Sequence, residues 1–525
     1  MAQNTEHESF ADRLKTAMAH RGLKQSDMIR AASELGSKLG KSQVSQYVSG
    51  KTVPRRDVVA LLARILDVDE GWLEGAASLQ AEPNAPVIPS DERASARHEA
   101  ADQPSDSDRQ HDAATQRSTS MREFNKSSKL DNVLYDVRGP ITDEAARMEA
   151  EGQRILKLNI GNTAPFGFRT PDEVIEDMRT QLTDCEGYSE ARGLFSARKA
   201  IMQYAQLKGI PNVSMDGIYT GNGVSELIQL CMNALLNNGD EILIPMPDYP
   251  LWTACATLAG GTPVHYVCDE QAEWNPDIAD IESKITPRTK AIVIINPNNP
   301  TGAVYPREVL EQIVEIARKH QLMIFSDEIY DRLVMDGFEH VSTATLAPDL
   351  PCVTFSGLSK SHMVCGFRIG WMVLSGNKRC MKDFMYGVNM LSNMRLCSNV
   401  PGQSIVQTAL GGHQSVNNYI VPGGRIYEQR NYIYEALNAI DGVTAVKPKA
   451  AFYIFPKLDV EKFNITSDEQ FALDLLHEKR ILITRGGGFA WPEPDHFRIV
   501  FLPRMGVLQE AVEDLADFLE HYRQR

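Results

Sequence analysis

The sequence contains few cysteines, and none is placed for cross-linking or metal binding. Its eight cysteines, among 525 residues, occur without a CxxC pair and without the clustering of a metal site. Disulfide frameworks and zinc sites both need such groupings, so neither class of protein is indicated and no metal is predicted. We expect reduced, mostly buried cysteines that act as small hydrophobic side chains.

Long apolar runs and a positive net charge are also lacking. The segment Met1-Ala-Gln-Asn-Thr-Glu-His-Glu8 has no basic stretch followed by an apolar one, and no later segment approaches the length of a membrane span. The formal net charge of −15 disfavours a chain that coats nucleic acid along its whole length, so any DNA-seeking part must be local. We expect a soluble, cytoplasmic protein with no membrane partner.

Aromatic residues are absent between Leu73 and Glu123, and this gap divides the chain. Pro, Ser, Asp, Ala and Gln dominate there, a composition that cannot bury enough apolar surface to fold. A chain of this length also exceeds what one hydrophobic core usually serves. We predict an all-helical domain at residues 1–75, a disordered linker at 76–123 and a larger domain at 124–525.

Beyond Phe124, short β-branched runs alternate with helical patterns such as Val309 to His320. The runs are Ile242-Leu-Ile244, Ala291-Ile-Val-Ile-Ile295, Leu322-Met-Ile-Phe325 and Cys352-Val-Thr-Phe355. This alternation is typical of crossover units on a mostly parallel sheet, and therefore predicts an α/β fold. Ligand-binding groups are expected where the strands of such a sheet end.

Motifs near the ends of these runs carry the side chains that pyridoxal phosphate requires. They are Asn299-Pro-Thr-Gly302, Asp327-Glu-Ile-Tyr330, Lys360 at the end of a predicted strand, and Arg368. An amine holds the cofactor aldehyde and a carboxylate keeps the pyridine nitrogen protonated. A phenol and an amide bond the ring oxygen, and a guanidinium clamps the phosphate. The order and spacing of these motifs predict a cofactor site with Lys360 as the catalytic residue.

Two further segments fit the same site. Gly223, Val224 and Ser225 follow a short strand and open a helical run, so free N–H groups and the positive end of the helix would face a phosphate. Tyr249 lies between prolines and could stack on the cofactor ring. Simpler interpretations stay open: a glycine turn at Gly223, loop packing at Tyr249, a β-turn at Asn299 and a helix N-cap at Asp327.

The stretch from Lys126 to the C-terminus resembles the fold-type I, class I/II aminotransferases, and within them the bacterial alanine (glutamate–pyruvate) aminotransferases. The closer match is carried by Lys126-Ser-Ser-Lys-Leu130, Tyr135-Asp-Val-Arg-Gly-Pro140, Leu158-Asn-Ile-Gly-Asn162, Ala164-Pro-Phe-Gly-Phe168 and His496-Phe-Arg-Ile-Val500. The resemblance implies a homodimer of two-domain subunits, with a large domain at about residues 170–398 and a small domain built from the flanking segments.

The resemblance also assigns roles to individual residues. It makes Lys360 the lysine that bonds to the cofactor, Arg498 the ligand of the substrate α-carboxylate and Gly161 a backbone contact to the substrate. Asn299 would contact both cofactor and substrate, and Tyr188 would reach the cofactor phosphate of the partner subunit.

One departure concerns the phosphate. Many members of the family carry a phosphate-binding serine three residues before the lysine, where this chain has Gly357. Ser356 lies one place earlier and Ser359 two places later. Neither serine is therefore assigned to the phosphate.

The reaction implied by the resemblance is transfer of an amino group from an amino acid, by the closer match alanine, to 2-oxoglutarate. One site must then take a methyl and a carboxyethyl side chain in turn. We predict that the segment from Tyr135 to Arg138 folds over the site, with Arg138 meeting the distal carboxylate of glutamate. A surface position for Arg138 is the alternative. Two other functions stay open: a transcription regulator whose cofactor site senses an amino acid, and a pyridoxal-phosphate-dependent lyase.

The helical first part is a basic island in an acidic chain. From Phe10 to Arg56 there are ten Lys or Arg residues against Asp12, Asp27 and Glu34. A helix from Lys41, ended by Gly50 and Pro54, follows an earlier helix that starts near Leu23. The arrangement resembles the Cro/C1-type helix-turn-helix domains, apart from a long connection around residues 35–40.

That second resemblance implies a DNA-binding surface on the helix from Lys41. A helical protein-interaction module with a solvated basic face is the alternative. The implied roles are core for Val44 and Tyr47, base contacts for Lys41, Ser42 and Gln46, and phosphate contacts for Gln25 and Gln43.

Overall fold

The computed structural model describes residues 9–34, 37, 39–66, 68, 70–74, 124–131, 133, 135 and 139–525. The chain divides into two compact units, Met1–Met121 and Arg122–Arg525. The predicted linker at residues 76–123 lies outside the described residues. Within the described ranges, no helix is long and apolar enough to cross a membrane.

The described part of the first unit is helical. Its helices are α1 (Phe10–His20), α2 (Gln25–Glu34), α3 (Lys41–Val48), α4 (Arg56–Leu66) and α5 (Glu70–Glu74). Ser9 begins α1 as its N-cap, because its hydroxyl accepts the Asp12 N–H at 3.3 Å. Beyond α3, Gly50 takes the left-handed conformation that favours glycine. Leu14, Val44 and Leu62 are each buried in the core that holds these helices together.

The second unit is built on an eight-stranded sheet with the order β2-β9-β8-β7-β6-β3-β4-β5. These strands are β2 (Ile218–Asn222), β3 (Glu241–Met246), β4 (Thr262–Asp269), β5 (Asn275–Pro276), β6 (Thr289–Ile295), β7 (Met323–Asp327), β8 (Pro351–Gly357) and β9 (Ile369–Gly376). The run from β4 through β3, β6 and β7 to β8 is parallel, while β5 and β9 pair antiparallel with their neighbours. The predicted mostly parallel α/β sheet is confirmed.

The central strands are buried on both faces. Along β3, Ile242 and Ile244 belong to one hydrophobic core and Leu243 to another, as expected when successive side chains point to opposite faces. Continuous apolar runs in the sequence are the consequence of this two-sided burial.

Helices cover both faces of the sheet and surround the smaller sheets. They are α6 (Pro140–Ala150), α7 (Asp172–Gln181), α8 (Phe195–Leu207), α9 (Val224–Leu235), α10 (Leu251–Leu258), α11 (Ile278–Ser283), α12 (Arg307–His320), α13 (Leu358–Ser361), α14 (Lys382–Met394), α15 (Val400–Ser404), α16 (Val406–Gly411), α17 (Arg425–Asn438), α18 (Val460–Phe463), α19 (Asp468–Lys479) and α20 (Met505–His521).

A third hydrophobic core forms around short strands, one of which precedes the eight-stranded sheet in the sequence while the others follow it. These strands are β1 (Leu156–Lys157), β10 (Val443–Thr444), β11 (Tyr453–Ile454), β12 (Lys457–Leu458), β13 (Ile481–Leu482), β14 (Thr484–Arg485) and β15 (Phe497–Val500). They pair as β1–β13, β10–β12 and β11–β15–β14. Segments far apart in the chain thus share one small α/β layer.

The placement of Lys360 differs from the sequence-based expectation. Lys360 was predicted to end a strand from Val353 to Leu358, but β8 ends at Gly357 and Lys360 lies in the short helix α13. The ladder between β8 and β9 stops at the pair Gly357–Gly370. Without further pairing the backbone turns, and one helical turn carries Lys360 beyond the sheet edge.

Candidate functional site

A cleft of about 540 Å³ opens where the central parallel strands end. It brings together most of the predicted site residues, from positions more than 350 residues apart in the sequence. The predicted residues that line it are Tyr135, Gly161, Val224, Ser225, Tyr249, Asn299, Asp327, Tyr330, Lys360, Arg368 and Arg498. Among the described lining residues, three side chains are cationic and only Asp327 is anionic, which favours anionic ligands.

Lys360 projects its amine into this cleft. The Nζ atom donates a hydrogen bond to the carbonyl oxygen of Gly161 at 3.0 Å and lies 5.6 Å from the ring centroid of Phe452. A side chain on Gly161 would overlap the Tyr453 hydroxyl and the Phe452 ring, so only glycine lets the backbone at residue 161 lie this close to them. The lysine amine is thereby oriented by backbone and not by a carboxylate.

Asp327 ends strand β7 as a buried carboxylate with two donors. The indole Nε1 of Trp252 donates to Oδ2 at 3.2 Å, and the Ile329 N–H donates to Oδ1 at 3.3 Å. Burial raises the pKa of Asp327 to about 6, although both hydrogen bonds act in the opposite direction. A cation placed beside this carboxylate would relieve the cost of its burial.

Four tyrosines form two hydroxyl pairs above the strand ends. The Tyr330 and Tyr453 hydroxyl oxygens lie 2.8 Å apart, and those of Tyr135 and Tyr249 lie 3.3 Å apart. Burial raises the pKa of Tyr249 and of Tyr330 well above the usual value, so both phenols stay neutral donors. Neutral hydroxyls suit an anionic oxygen on a ligand ring.

Arg498 is a buried cation in strand β15. Its Nη1 donates to the Asn299 Oδ1 atom at 2.8 Å, and its Nη2 donates to the Asn159 carbonyl. Its guanidinium lies 4.5 Å from the ring centroid of Tyr453, and burial lowers its pKa. The buried Nε atom has no hydrogen-bond partner. A buried guanidinium with unused donor capacity and no acidic partner suits a carboxylate ligand.

Arg368 and the start of α9 form a second anion-binding edge of the cleft. Arg368 donates to the Cys365 and Asn222 carbonyls at 2.7 and 3.1 Å. Gly223 has a φ of +80°, and a side chain there would overlap the Arg368 guanidinium. The first N–H groups of α9 have no partners within the helix, so they and the guanidinium form a cradle for a phosphate.

The loop before α9 is held in place by its own side chains. Glu226 accepts hydrogen bonds from the Asn222 N–H at 2.8 Å and from Asn222 Nδ2 at 3.0 Å. Arg395 pairs with the same carboxylate at 3.2 Å. The Asn222 Oδ1 atom in turn accepts the Asn399 N–H at 2.8 Å. These contacts fix the backbone of the cradle independently of any ligand.

The remaining predicted residues lie elsewhere or were not located. Tyr188 is 82% exposed and does not line the cleft. Arg138 lies outside the described residues, so its predicted contact stays a prediction. Of the two unassigned serines, Ser359 lines the cleft, whereas Ser356 is buried in β8 and does not line it.

Trp252 and Tyr453 are among the site residues that sequence reasoning missed. Trp252 lies three residues after Tyr249, which was predicted to stack on the cofactor, so this spacing could have indicated that both lie near the same strand end. Tyr453 lies in β11, a two-residue strand with no motif of its own, and no sequence signal points to it.

In the first unit, the residues predicted to contact DNA lie on or near one exposed helix face. Lys41, Ser42 and Gln46 are exposed on α3, while Val44 and Tyr47 are buried as expected. Gln43 is also exposed, and its amide oxygen accepts the Gly40 N–H at 2.9 Å, which caps α3. Gln25 is half-buried at the start of α2.

Comparison with known families identifies the class of this chain. Residues 153–515 match the model of the aminotransferase class I and II family, and the chain belongs to that family. Residues 9–73 match a helix-turn-helix domain model. Both expected resemblances are therefore confirmed, and the chain is an aminotransferase with a helix-turn-helix segment at its N-terminal side.

Individual relatives cover the enzyme part completely. The chain is 58% identical over 404 residues to glutamate-pyruvate aminotransferase AlaA of Haemophilus influenzae, covering 77% of this chain and 100% of that protein. It is 55% identical to an alanine aminotransferase of Mycobacterium tuberculosis (strain ATCC 25618 / H37Rv), covering 77% and 94%. An aminotransferase structure from Escherichia coli matches with a TM-score of 0.76 at 56% identity, covering 77% of this chain and 100% of that one.

The family implies pyridoxal phosphate as the cofactor, and the geometry of the cleft fits it. A buried carboxylate without a cationic partner, a glycine-lined guanidinium cradle and the Lys360 amine lie around one cavity. These are the groups needed by a pyridinium nitrogen, a phosphate and an aldehyde. No group of three or more His, Cys, Asp or Glu side chains within the described residues could hold a metal ion.

We expect Trp252→Phe to weaken cofactor binding. The indole N–H favours the ionised form of Asp327, so its loss should raise the pKa of Asp327 further and reduce the charge available to a pyridinium. A hydrogen bond to a charged group contributes about 1.5–3 kcal/mol, which corresponds to roughly tenfold or more in the dissociation constant. Equilibrium dialysis of the cofactor-free protein measures this change.

Trp371→Phe is the matched control, because Trp371 is also buried but does not line the cleft. Equal cofactor affinities for the two variants would show that the Trp252 N–H has no influence on Asp327.

Proposed function

We propose that the protein transfers the amino group of alanine to 2-oxoglutarate, giving pyruvate and glutamate, with pyridoxal phosphate as its cofactor. The observation that carries this proposal is the convergence of Lys360, Asp327 and Arg498 on one cleft. The relatives that match over their whole length and are named glutamate-pyruvate aminotransferase support the choice of substrates.

Each side of the cleft would hold one part of the cofactor. Asp327 would bind the pyridinium nitrogen, and Tyr330 would donate to the ring oxygen. Asn299 would join Tyr330, because its own oxygen already accepts from Arg498 and its amide nitrogen is left to donate. Tyr249 would stack on the ring. When bound, pyridoxal phosphate supplies an aldehyde for amines and a ring that accepts an electron pair from the substrate Cα.

The phosphate would lie in the cradle of the second anion-binding edge. The N–H groups at Val224 and Ser225 and the guanidinium of Arg368 would bind it there. The Gly223 N–H, also predicted for this role, already donates to the Gly221 and Arg368 carbonyls at 2.7 and 3.1 Å. Tyr188 of the partner subunit would complete this site, as the family resemblance implies. Ser359 lines the cleft and is available to the same phosphate.

Lys360 would act as the base of the reaction. Its Nζ atom would carry the proton from the substrate Cα to a carbon of the cofactor, which requires a neutral amine. The Gly161 carbonyl, 3.0 Å away, would keep the amine directed at the substrate.

Arg498 would bind the substrate α-carboxylate through its unused donors. Tyr135 and Gly161 line the same region of the cleft and would contact the substrate. The distal carboxylate of glutamate needs a further cation, and we propose Arg138 for this role on the strength of its sequence position. Burial of Arg498 excludes water and strengthens its attraction for the carboxylate.

Lys360→Ala should leave cofactor binding measurable but reduce transamination to a negligible rate, since both the covalent attachment and the proton transfer depend on its amine. Pyruvate formed from alanine with 2-oxoglutarate measures the activity. Wild-type activity in this variant would refute the assignment. Pyruvate formation without any 2-oxo acid would favour the lyase, and absence of turnover in a cofactor-loaded wild-type protein would favour the amino-acid sensor.

We also propose a homodimer. Helix α14 exposes an apolar stripe, in which Tyr386, Met390 and Met394 are 66%, 47% and 75% exposed. Their spacing of four residues places them on one helix face. Apolar stripes of this kind on a soluble protein mark surfaces that another protein covers. The exposed Tyr188 fits the same arrangement, since its proposed ligand belongs to the partner.

The double variant Met390→Glu with Met394→Glu should dissociate this dimer, because two carboxylates would be buried without partners. Sedimentation equilibrium should show the wild type at twice the chain mass of 58.4 kDa and the variant at the chain mass. Val507→Glu, at another exposed apolar residue, is the control. A wild type that sediments as a monomer contradicts the proposal.

For the first unit we propose DNA binding. Lys41, Ser42 and Gln46 would face base edges from α3, and Gln25 and Gln43 would face phosphates. A dimer would carry two such heads, each joined by a segment of about 45 residues, and a flexible chain of that length would span on the order of 40 Å. Half-sites one helical turn apart are separated by roughly 34 Å, so both heads could bind one palindrome.

Gln46→Ala should lower preference for a selected operator by about 1–3 kcal/mol, because glutamine pairs with an adenine edge. Lys41→Ala should also weaken operator preference, and added salt should weaken binding to every sequence. Lys15→Ala, on α1, is the control. Fluorescence anisotropy on the full-length protein measures these affinities. If no duplex from a random-site selection shows salt-sensitive affinity, the head is an interaction module instead.

A further inference from the structure

A histidine lies buried between two carboxylates just before strand β15. The His496 Nδ1 atom is 2.7 Å from Asp495 Oδ1, and its Nε2 atom is 3.5 Å from Glu270 Oε1. Lys457 Nζ lies 3.3 Å from Glu270 and 3.5 Å from Asp495. The side chain of His496 is 0% exposed and those of Asp495 and Glu270 are 11% and 12% exposed, so water screens the contacts between the imidazole and the two acids only weakly.

Aromatic rings enclose the same imidazole. Phe455 stacks on His496 with ring centroids 4.8 Å apart, and the Trp274 and Trp491 rings contact it edge-on at 5.4 and 5.0 Å. Trp491 also donates its indole N–H to Asp495 Oδ1 at 2.9 Å. A protonated imidazole is favoured by the face of the stacked Phe455 ring and by the two acids.

The charges in this cluster stabilise one another. Burial alone would lower the pKa of His496, but the interactions with Asp495 and Glu270 outweigh burial and raise it. The pKa of Asp495 falls to about 2 for the same reason, although burial opposes this shift too. Lys457 is the further cation facing both acids.

A short chain of packed rings joins His496 to Arg498. His496 forms an isolated bridge with Lys457 just before β15, so side-chain alternation along the extended backbone directs residues 496 and 498 to the same side. Phe455, stacked on His496, contacts Phe489 edge-on at 5.8 Å, and the Phe489 ring lies 4.7 Å from the Arg498 guanidinium. The position of the imidazole therefore limits where the guanidinium can lie.

The cluster also connects the two layers that form the cleft. Glu270 and Glu273 lie in the turn after β4 of the eight-stranded sheet, whereas Lys457 lies in β12 and His496 directly precedes β15. Lys449 adds an ion pair to Glu273 at 2.8 Å. The sheet that carries Asp327 is thus tied to the strand that carries Arg498.

We propose that His496, as a cation held between Glu270 and Asp495, is a positioning residue that fixes Arg498 for the substrate α-carboxylate. This inference rests on the proposed function, in which Arg498 binds that carboxylate. The contribution of the protonated form is fully present at low pH and is lost as the pH rises through the raised pKa of His496. Substrate affinity should therefore weaken on the alkaline side.

His496→Gln removes the cation but keeps a hydrogen-bonding side chain of similar size. We expect it to weaken binding of 2-methylalanine to the cofactor-loaded enzyme about tenfold, which is within the range of coupling between residues linked through shared packing. This ligand has the α-amine and α-carboxylate but no Cα hydrogen, so it binds without turnover and its binding is followed by absorbance. The KM for alanine should rise more than kcat falls, and its alkaline rise should disappear.

Glu270→Gln tests the same idea from the other layer. Loss of one acid lowers the pKa of His496, so the alkaline rise in KM should move to lower pH. This variant also decides the matter if His496→Gln does not fold. His413→Gln, at an exposed histidine, should behave as the wild type.

Unchanged affinity for 2-methylalanine in His496→Gln, with only a lower melting temperature, would show a purely structural role and overturn the inference. An unshifted pH profile in Glu270→Gln would do the same. A wild-type protein that neither binds 2-methylalanine nor forms pyruvate would instead refute the proposed function, and the inference with it.

Discussion

The burial of one carboxylate at the end of a parallel strand is the constraint on which the cleft depends. At the protein surface, water or a counter-ion would stabilise the charge of a carboxylate. Asp327 instead lies among five parallel strands that are covered on both faces, so it is buried. Desolvation of this group is tolerable only with donors behind it and a cation in front of it. Trp252 supplies the first, and a ligand must supply the second. The neighbouring lysine, tyrosines and arginines line the cleft in which such a cationic ligand group would lie beside Asp327.

Much of this arrangement could be predicted from the sequence, because local chemistry and topology act together. Strand ends in a parallel sheet meet at one edge, so motifs after Ile295, at Asp327 and beyond Gly357 had to lie near one another. The α/β class followed from apolar runs that are buried on both faces. The sequence also predicts Gly223 and Arg368 at one phosphate site, and the two residues do lie against each other, while phosphate binding itself stays a prediction.

Other parts could not be predicted, since they depend on packing between distant segments. Tyr453 reaches the cleft from a two-residue strand whose partners lie some 45 residues further on, and no periodicity reveals that pairing. Lys360 was predicted at the end of a strand, but that strand stops at Gly357. It stops there because its pairing with β9 ends at Gly370, and the sequence of one strand does not show where its partner ends. Gln43 lies in the exposed first turn of α3, where its amide caps the helix by accepting the Gly40 N–H. A glutamine that caps a helix and one that contacts a phosphate occupy the same sequence position, so the sequence could not separate the two roles.

The loop before α9 has a consequence for how the protein acquires its cofactor. Glu226, Asn222, Arg395 and Asn399 hold its backbone through contacts that involve no ligand. A receptor that is already in its bound conformation loses little chain entropy on association. Its apparent affinity is also not reduced by a low population of the binding-competent conformer. The newly made apoprotein should therefore capture scarce cofactor as a rigid receptor, in a single kinetic step, without a slow rearrangement that follows the encounter.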